Sequence, residues 1–402
     1  MTDVAEGAPV LDGERVRLRP PRDEDAAHFV RWANDPEFAW CQWGRGPGRF
    51  RDAAAVREWW RIFPERDGRL FVIEHPGGKA ALPLAAGSAA FHPQEPRPIG
   101  FVNYCDWRPK PRSCEVGIGI GERALWSTGL GRDALRTLMR HLVDDLGAHR
   151  ITLDTLAFND RAVASYRACG FDVEGILRDE VPAPDGTYLD AVLMAYVVGR
   201  TRPAFDPTPV TLEGDHVRLE ALRMEHAAEL FAALRDADWT FVGYGLPEPS
   251  RATVDDMAAF IRSALDRQIL GEHMPWITRR VTDGRAIGTT RYGAIDRANR
   301  SVEIGWTILG PEGRRTVANT EAKYLQLRHA FETLGAVRVW LKTDVRNERS
   351  RRAIERIGAK LDGIVRNERL VRDGHLRDAC YYSFIDRDWP EAKARLEALL
   401  AR

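Results

Sequence analysis

The chain runs to 402 residues, 44% hydrophobic and 29% charged, and its Lys+Arg and Asp+Glu totals are both 59. That length exceeds one compact core and suits two domains, while zero net charge removes any global pull toward nucleic acid or an anionic membrane. No apolar run is long enough to cross a bilayer, and the five scattered cysteines (Cys41, Cys105, Cys114, Cys169, Cys380) lack a C-x-x-C pair, so they read as small apolar fillers rather than a disulfide framework or a metal site.

Taken in chain order, the opening residues Met1 to Glu6 are acidic and lack the basic and apolar regions of a signal peptide, so a cytoplasmic protein is expected. A strand is predicted at 16–18 and helical segments over about 23–33. Strand-like residues 70–73 and 99–102 flank a Gly-, Ala- and Pro-rich stretch, 76–98, that reads as a long surface loop, either a lid or an inert insertion. A further strand carries Glu115-Val116-Gly117-Ile118-Gly119. Glycines there either let a ligand lie against the backbone or mark a bulge.

Next comes Trp126-Ser127-Thr128-Gly129-Leu130-Gly131-Arg132, a glycine turn that feeds a helix whose apolar positions (Leu135, Leu138, Met139, Leu142, Val143, Leu146) recur at helical spacing. The first N–H groups of a helix have no internal partner and sit at the positive end of its dipole, and glycine lets an anion approach them. The turn therefore predicts a phosphate or pyrophosphate grip. A strand (150–156), a short helix (161–168) and a hairpin with Asp185-Gly186 complete this half. Three prolines between Arg200 and Pro209 then interrupt regular structure.

The order repeats. Leu11-Asp12-Gly13-Glu14-Arg15-Val16-Arg17-Leu18 returns as Leu212-Glu213-Gly214-Asp215-His216-Val217-Arg218-Leu219, and Glu115-Val116-Gly117-Ile118 as Glu303-Ile304-Gly305-Trp306. Asn159, Gly170, Arg178 and Asp185-Gly186 return as Asn347, Gly358, Arg366 and Asp373-Gly374, all at an offset of 188. Near the start the offset is 201, so the first copy holds extra residues before Glu115, with 76–98 the natural place. The second copy predicts a strand at 217–219, helices over 224–235 and 349–357, and a strand at 338–343. We expect domains at 1–199 and 211–402 joined by a linker at 200–210. Each has an α/β architecture, a mixed sheet with helices on both faces.

These motifs resemble the GNAT superfamily of acyl-CoA N-acyltransferases. Its cofactor turn, Gln/Arg-x-x-Gly-x-Gly/Ala, is matched by Trp126-x-x-Gly129-x-Gly131. The leading tryptophan looks like the RimJ/RimL branch. Its second signature appears as Asn159-x-x-Ala162-x-x-x-Tyr166-x-x-x-Gly170-Phe171. A dinucleotide-binding fingerprint would need its glycines after the first strand, which is not the context here. The second copy matches as Asn347-x-x-Ser350-x-x-x-Ile354-x-x-x-Gly358-Ala359, with Arg314 leading the turn but Val317 and Asn319 in place of the two small residues. Cβ atoms there would crowd an anion. That copy is therefore either a divergent enzyme or a domain kept for structure or binding.

The resemblance implies direct transfer of an acetyl group from acetyl-CoA to an amine, with no metal. It assigns the cofactor to Val116, Gly117, Ile118, Trp126, Ser127, Thr128, Gly129, Leu130, Gly131, Arg132 and Asn159, and in the second copy to Arg314, Thr316, Val317, Ala318, Asn319, Thr320 and Asn347. Tyr166 is the expected proton donor to the departing thiolate, with Ser350 a weaker counterpart in the second copy. Glu115 and Glu303 are either bases for the ammonium group or partners for a nearby arginine. Carboxylates beside aromatics at 34–40, Trp43, Trp59, Trp60, Asp236, Asp238, Trp239, Phe241 and Tyr244 suit a cationic acceptor, a small amine or a peptide N-terminus. Two fused copies suit a monomeric pseudo-dimer or a homodimer. A non-catalytic acyl-CoA-binding or sensing module is the alternative from another class.

Overall fold

A computed structural model describes residues 9–77, 95–200, 205–237, 252–371 and 374–401. Most of the expected 76–98 loop, part of the linker, and Asp238, Trp239, Phe241, Tyr244 and Asp373 lie outside the described residues. The chain divides into two units, Met1–Arg200 and Thr201–Arg402.

The first unit runs β1 (Leu11–Asp12), β2 (Arg17–Arg19), α1 (Ala26–Ala33), α2 (Pro36–Trp43), α3 (Ala53–Glu65), β3 (Arg69–His75), β4 (Arg97–Arg108), β5 (Ser113–Ile120), α4 (Leu130–Arg140), β6 (Arg150–Leu156), α5 (Asp160–Ala168), β7 (Asp172–Pro182) and β8 (Tyr188–Val197). The second runs β9 (Leu212–Glu213), β10 (Val217–Ala221), α6 (Ala227–Leu234), α7 (Val254–Ile269), β11 (Met274–Arg280), β12 (Ala286–Asp296), β13 (Ser301–Leu309), α8 (Ala318–Arg328), β14 (Arg338–Asp344), α9 (Glu348–Arg356), β15 (Lys360–Leu370), β16 (Leu376–Ile385) and α10 (Trp389–Leu400). Each sheet has eight strands in the same order, β1-β2-β3-β4-β5-β6-β8-β7 and its counterpart β9 to β15.

Alternation along the strands supplies two apolar faces. In the first unit Val72 and Phe101 pack with Phe29, Val56 and Trp60 of α1 and α3, while α4 lies against β2, β4 and β5. In the second, Ile277 joins the α6 and α7 cluster, and its neighbour Trp276 joins Ala322 and Leu325 of α8.

One irregularity makes room for a ligand. β5 and β6 run parallel for only three pairs, Ser113↔Arg150 to Glu115↔Thr152, although β5 stays paired with β4 as far as Gly100↔Ile120. β13 and β14 part in the same place, after Glu303↔Trp340. Beyond the parting, α4 and α8 begin. A carboxylate on each helix seats it: Asp133 accepts from the amides of Glu14, Arg15 and Val16, and Glu321 from those of Asp215, His216 and Val217.

The long helix departs from its expected α-spacing. It is α-helical to Arg140 and then makes a π-turn at His141–Asp145, a feature repeated at His329–Thr333. The wider turn keeps Leu142 in the core and leaves Leu146 exposed. The strand expected at 16–18 lies at Arg17–Arg19 and pairs with a further short strand, β1. Between β3 and β4 the offset falls from 205 (Arg69 to Met274) to 188 (Tyr104 to Tyr292), which puts 17 extra residues in the first copy there.

An ion pair recurs at equivalent positions within each copy with its signs exchanged. In the first, Arg19 binds Asp25 and Glu74, each at 2.7 Å. In the second, Glu220 stands in place of Arg19, Arg279 in place of Glu74 and His226 in place of Asp25, and Arg279 meets Glu220 at 2.8 Å. Removing one partner strands a buried charge. Arg19→Met should therefore destabilise the first unit by about 3–5 kcal/mol in urea denaturation. The triple exchange Arg19→Glu, Asp25→His, Glu74→Arg should recover most of that loss. A cost for Arg19→Met within the ~1 kcal/mol of an exposed pair would show that the network does not hold the strands.

Candidate active site

In the first unit the parted strands open a groove of about 420 Å³, lined by Val116, Gly117 and Ile118 of β5, by Trp126, Ser127, Gly129, Gly131 and Arg132 of the turn, and by Asp154, Asn159 and Tyr166. Ser127 and Gly129 adopt left-handed backbone, with φ of 63° and 89°. Gly129 is the N-cap of α4 and no side chain caps it, which leaves first-turn amides to face a ligand. A Cβ on Gly129 would stand 3.5 Å from both Arg132 Nη2 and Arg15 Nη1. Arg15, which also donates to the carbonyl of Thr128 at 2.9 Å, escapes a reading of the sequence because it lies 113 positions from that turn. The arrangement fits a diphosphate: donors, a dipole and two guanidinium groups converge where glycine has cleared the space.

Trp126 props the turn, donating Nε1–H to the Ile120 carbonyl at 2.6 Å, with the Arg161 guanidinium 3.6 Å above its ring. Thr128 faces a neighbouring cavity with Arg15 and Arg136, and Leu130 is in the core, so neither of these two expected cofactor residues lines the groove. Asn159 N-caps α5 by accepting from Ala162 N at 3.2 Å. The space at Gly117 belongs to the sheet itself, since a Cβ there would come within 2.6 Å of Asn103 Oδ1.

Tyr166 is buried at the groove wall. Burial, then the charge of Asp154, pushes its phenol well above the ordinary range, so the proton stays on at neutral pH. Glu115 does not line the groove; Asp154 does. Both carboxyls are raised, chiefly by desolvation, with Asp154 adding to Glu115 and Glu180 to Asp154. The sequence reading missed Asp154, because only strand alternation combined with the parting brings it into view. Of the expected acceptor residues, Phe38 and Trp43 line the groove with Cys41. Asp35 instead caps α2 through Glu37 N and Phe38 N, Trp59 and Trp60 belong with the α1–α3 cluster, and Trp40 stacks on Phe158 at 5.3 Å.

The second unit has a larger groove, about 730 Å³, lined by Glu303, Arg314, Thr316, Asn319, Lys323, Asn347, Ser350 and Ile354 among others. Its turn is built differently. Val317, a β-branched residue that resists positive φ, takes right-handed backbone at φ −66° where Gly129 is left-handed. Arg314 donates Nε–H to the Leu309 carbonyl at 3.1 Å, doing the work of the Trp126 indole. Val317, Ala318 and Thr320 do not line this groove; Ala318 is in the core and Thr320 accepts from Arg356 at 2.7 Å. Asn347 caps α9 through Ser350 N at 3.1 Å. Lys323, in place of Leu135, is buried with Nζ 2.6 Å from Thr307 Oγ1, and burial lowers it to about 7.

Among the described residues no cluster of three or more His, Cys, Asp or Glu is placed to hold a metal, and no helix is long and apolar enough to cross a membrane. All five cysteines are free thiols.

A family profile described as an acetyltransferase (GNAT) domain matches residues 15–172 and again 216–360. YdaF of Bacillus subtilis (strain 168), provisionally named a ribosomal N-acetyltransferase, is 36% identical over 112 residues, which are 28% of this chain and 60% of YdaF. YoaA of the same organism, an uncharacterized N-acetyltransferase, is 26% identical over 176 residues, 43% of this chain and 96% of its own length. The solved structure of a GCN5-related N-acetyltransferase from Brucella melitensis is 30% identical and covers 48% of this chain and 86% of its own, with a TM-score of 0.44.

Two measurements probe these sites. Gly129→Val should weaken CoA binding about tenfold in calorimetric titration, the ~1–2 kcal/mol that a left-handed conformation costs a β-branched side chain; undiminished affinity would place the anion elsewhere. For Lys323, the folded pKa of about 7 lies below the ordinary 10.5. The unfolded chain therefore binds more protons between those values, and the second unit should gain stability as pH rises through that window. Lys323→Leu should flatten that slope in denaturant titrations, and an unchanged slope would show the lysine to be solvated.

Proposed function

The chain belongs to the GNAT acetyltransferase family, and on that premise we propose that it transfers an acetyl group from acetyl-CoA to a primary amine, with the N-terminal unit catalytic. The observation that carries this reading is the convergence, in one groove, of the turn residues Ser127, Gly129, Gly131 and Arg132 with Tyr166 and Asp154, with Arg15 close beside Gly129.

Bound acetyl-CoA supplies a thioester carbonyl activated toward an amine. The chain does the rest. Amides from Gly129 to Arg132, with Arg15 and Arg132, hold the diphosphate, and the edge of β5 at Val116, Gly117 and Ile118 lies along the groove. Asp154, with a carboxyl lifted above its ordinary range, takes the proton that an alkyl ammonium must lose before it can attack. Tyr166 keeps a proton on Oη for the departing thiolate. This gives Asp154 the basic role for which Glu115 was the candidate from sequence.

The C-terminal unit keeps the groove but has Ile354 where Tyr166 stands, and its Ser350 lies at the capped start of α9. These features support a unit that binds an acyl-CoA and an acceptor through different side chains, either as a divergent enzyme or as a binding domain.

Tyr166→Phe should lower kcat for acetylation of a model amine by about 10²-fold or more, with little change in KM for acetyl-CoA. A rate unchanged across pH would assign the donor elsewhere. Wild-type kcat/KM should fall as pH drops through the raised carboxyl pKa, because a protonated Asp154 accepts nothing. Asp154→Asn should lose that acid limb together with most of the rate, and a limb that persists in the variant belongs to another group.

A further inference from the structure

Among the described residues of the second unit, one buried charge has no carboxylate partner. Arg291, on β12, is 3% exposed. Its Nη1 donates to His273 Nδ1 at 3.3 Å, but Nε and Nη2 have no hydrogen-bond partner among the described residues. The guanidinium is packed between two rings, 4.9 Å from Phe260 and 5.1 Å from Trp306. Burial, then Arg267, brings its pKa down to about 9. Burial, then Arg291 itself, holds His273 at about 3, so the imidazole is neutral and offers no counter-charge.

Arg291 lines a cavity of about 730 Å³ that it shares with Arg267, Glu272, Glu303, Lys342 and Arg369. The carboxylates there are engaged: Glu272 with Arg267 at 2.8 Å and Glu303 with Lys342 at 3.8 Å. Trp306, at a register break in β13, has φ 48°. That bulge turns its ring onto Gly293 and beside His273 and Arg291. Glu303, Trp306, Lys342 and Arg369 also line the groove of this unit, so the cavity adjoins it.

The other copy shows what is particular here. At the offset of 188, Arg291 replaces Asn103, Lys342 replaces Asp154 and Arg369 replaces Val181. One wall is thus acidic in the first unit and basic in the second. The Nε and Nη2 hydrogens lie on one edge of the guanidinium plane, the fork that grips a carboxylate or phosphoryl group with two parallel hydrogen bonds. A buried guanidinium edge with no hydrogen-bond partner is costly, and an anion reaching it through the cavity that Arg291 lines would offset that cost.

We propose that the acceptor of the C-terminal unit is an amine that also carries an oxyanion, a carboxylate or a phosphoryl group, seated on the Nε–Nη2 edge of Arg291. That the bound molecule is an acetyl acceptor rests on the transfer reading above; that it is anionic rests on this cavity alone.

The test is calorimetric titration of the full chain, saturated with CoA, with γ-aminobutyrate, phosphoethanolamine and n-butylamine. At least one anionic probe should bind wild type about tenfold tighter than n-butylamine, a difference near 1.4 kcal/mol, and which one does so identifies the oxyanion. Arg291→Gln should erase that preference, and Arg291→Lys, which keeps the charge without the fork, should fall between. Equal binding of all three probes to wild type overturns the proposal without recourse to any variant, as does a preference that survives in Arg291→Gln. If the probe that binds through Arg291 is not acetylated when acetyl-CoA replaces CoA, the transfer reading for this unit falls and the oxyanion site stands.

Discussion

Both units depend on two parallel strands that pair for three residues and then separate. Backbone groups freed by the parting of β5 from β6, and of β13 from β14, must be met by something. The sheet remains sound because β5 keeps β4 and β6 keeps β8 along its whole length, Arg150↔Val197 to Leu156↔Ala191. Residues of both parted strands line the groove that results. A helix start stands at that gap, pinned by a carboxylate on three successive amides of the neighbouring chain segment. Groove, amide donors and dipole thus follow from one break in strand pairing.

The two copies show which parts of this plan tolerate change. Ion-pair geometry persists while its signs are exchanged between Arg19–Glu74 and Glu220–Arg279, because Coulomb attraction is indifferent to which strand carries which charge. The pinning carboxylate persists as Asp133 or Glu321, and the turn's prop persists as an indole or a guanidinium N–H. The copies also differ at Gly129 against Val317, Tyr166 against Ile354, Leu135 against Lys323 and Asn103 against Arg291.

The glycine at 129 has a backbone reason, a φ of 89° at the N-cap. The glycine at 117 has a packing reason, room for Asn103. The first is a requirement of the helix start and the second of the sheet, although in sequence both look like sites of close approach. Likewise Trp59 and Trp60 sit among acidic and aromatic neighbours that resemble an amine site, yet helical spacing turns them into the core with Phe29 and Phe101.

Short-range patterns settled much of this protein in advance. Alternation and helical spacing marked strands such as 150–156 and the turn at Gly129, because those features are decided by residues within a few positions of one another. The internal repeat revealed the duplication for the same reason, as it needs only like residues at a constant offset. Arg15 at the turn, Asp154 instead of Glu115 at the groove wall, and the unbalanced Arg291 beside Trp306 were decided by tertiary structure alone. Each depends on which strand a residue is brought beside and which face of it is buried. Pairing register and burial are set by the packing of distant segments, and that is the information a local pattern does not carry.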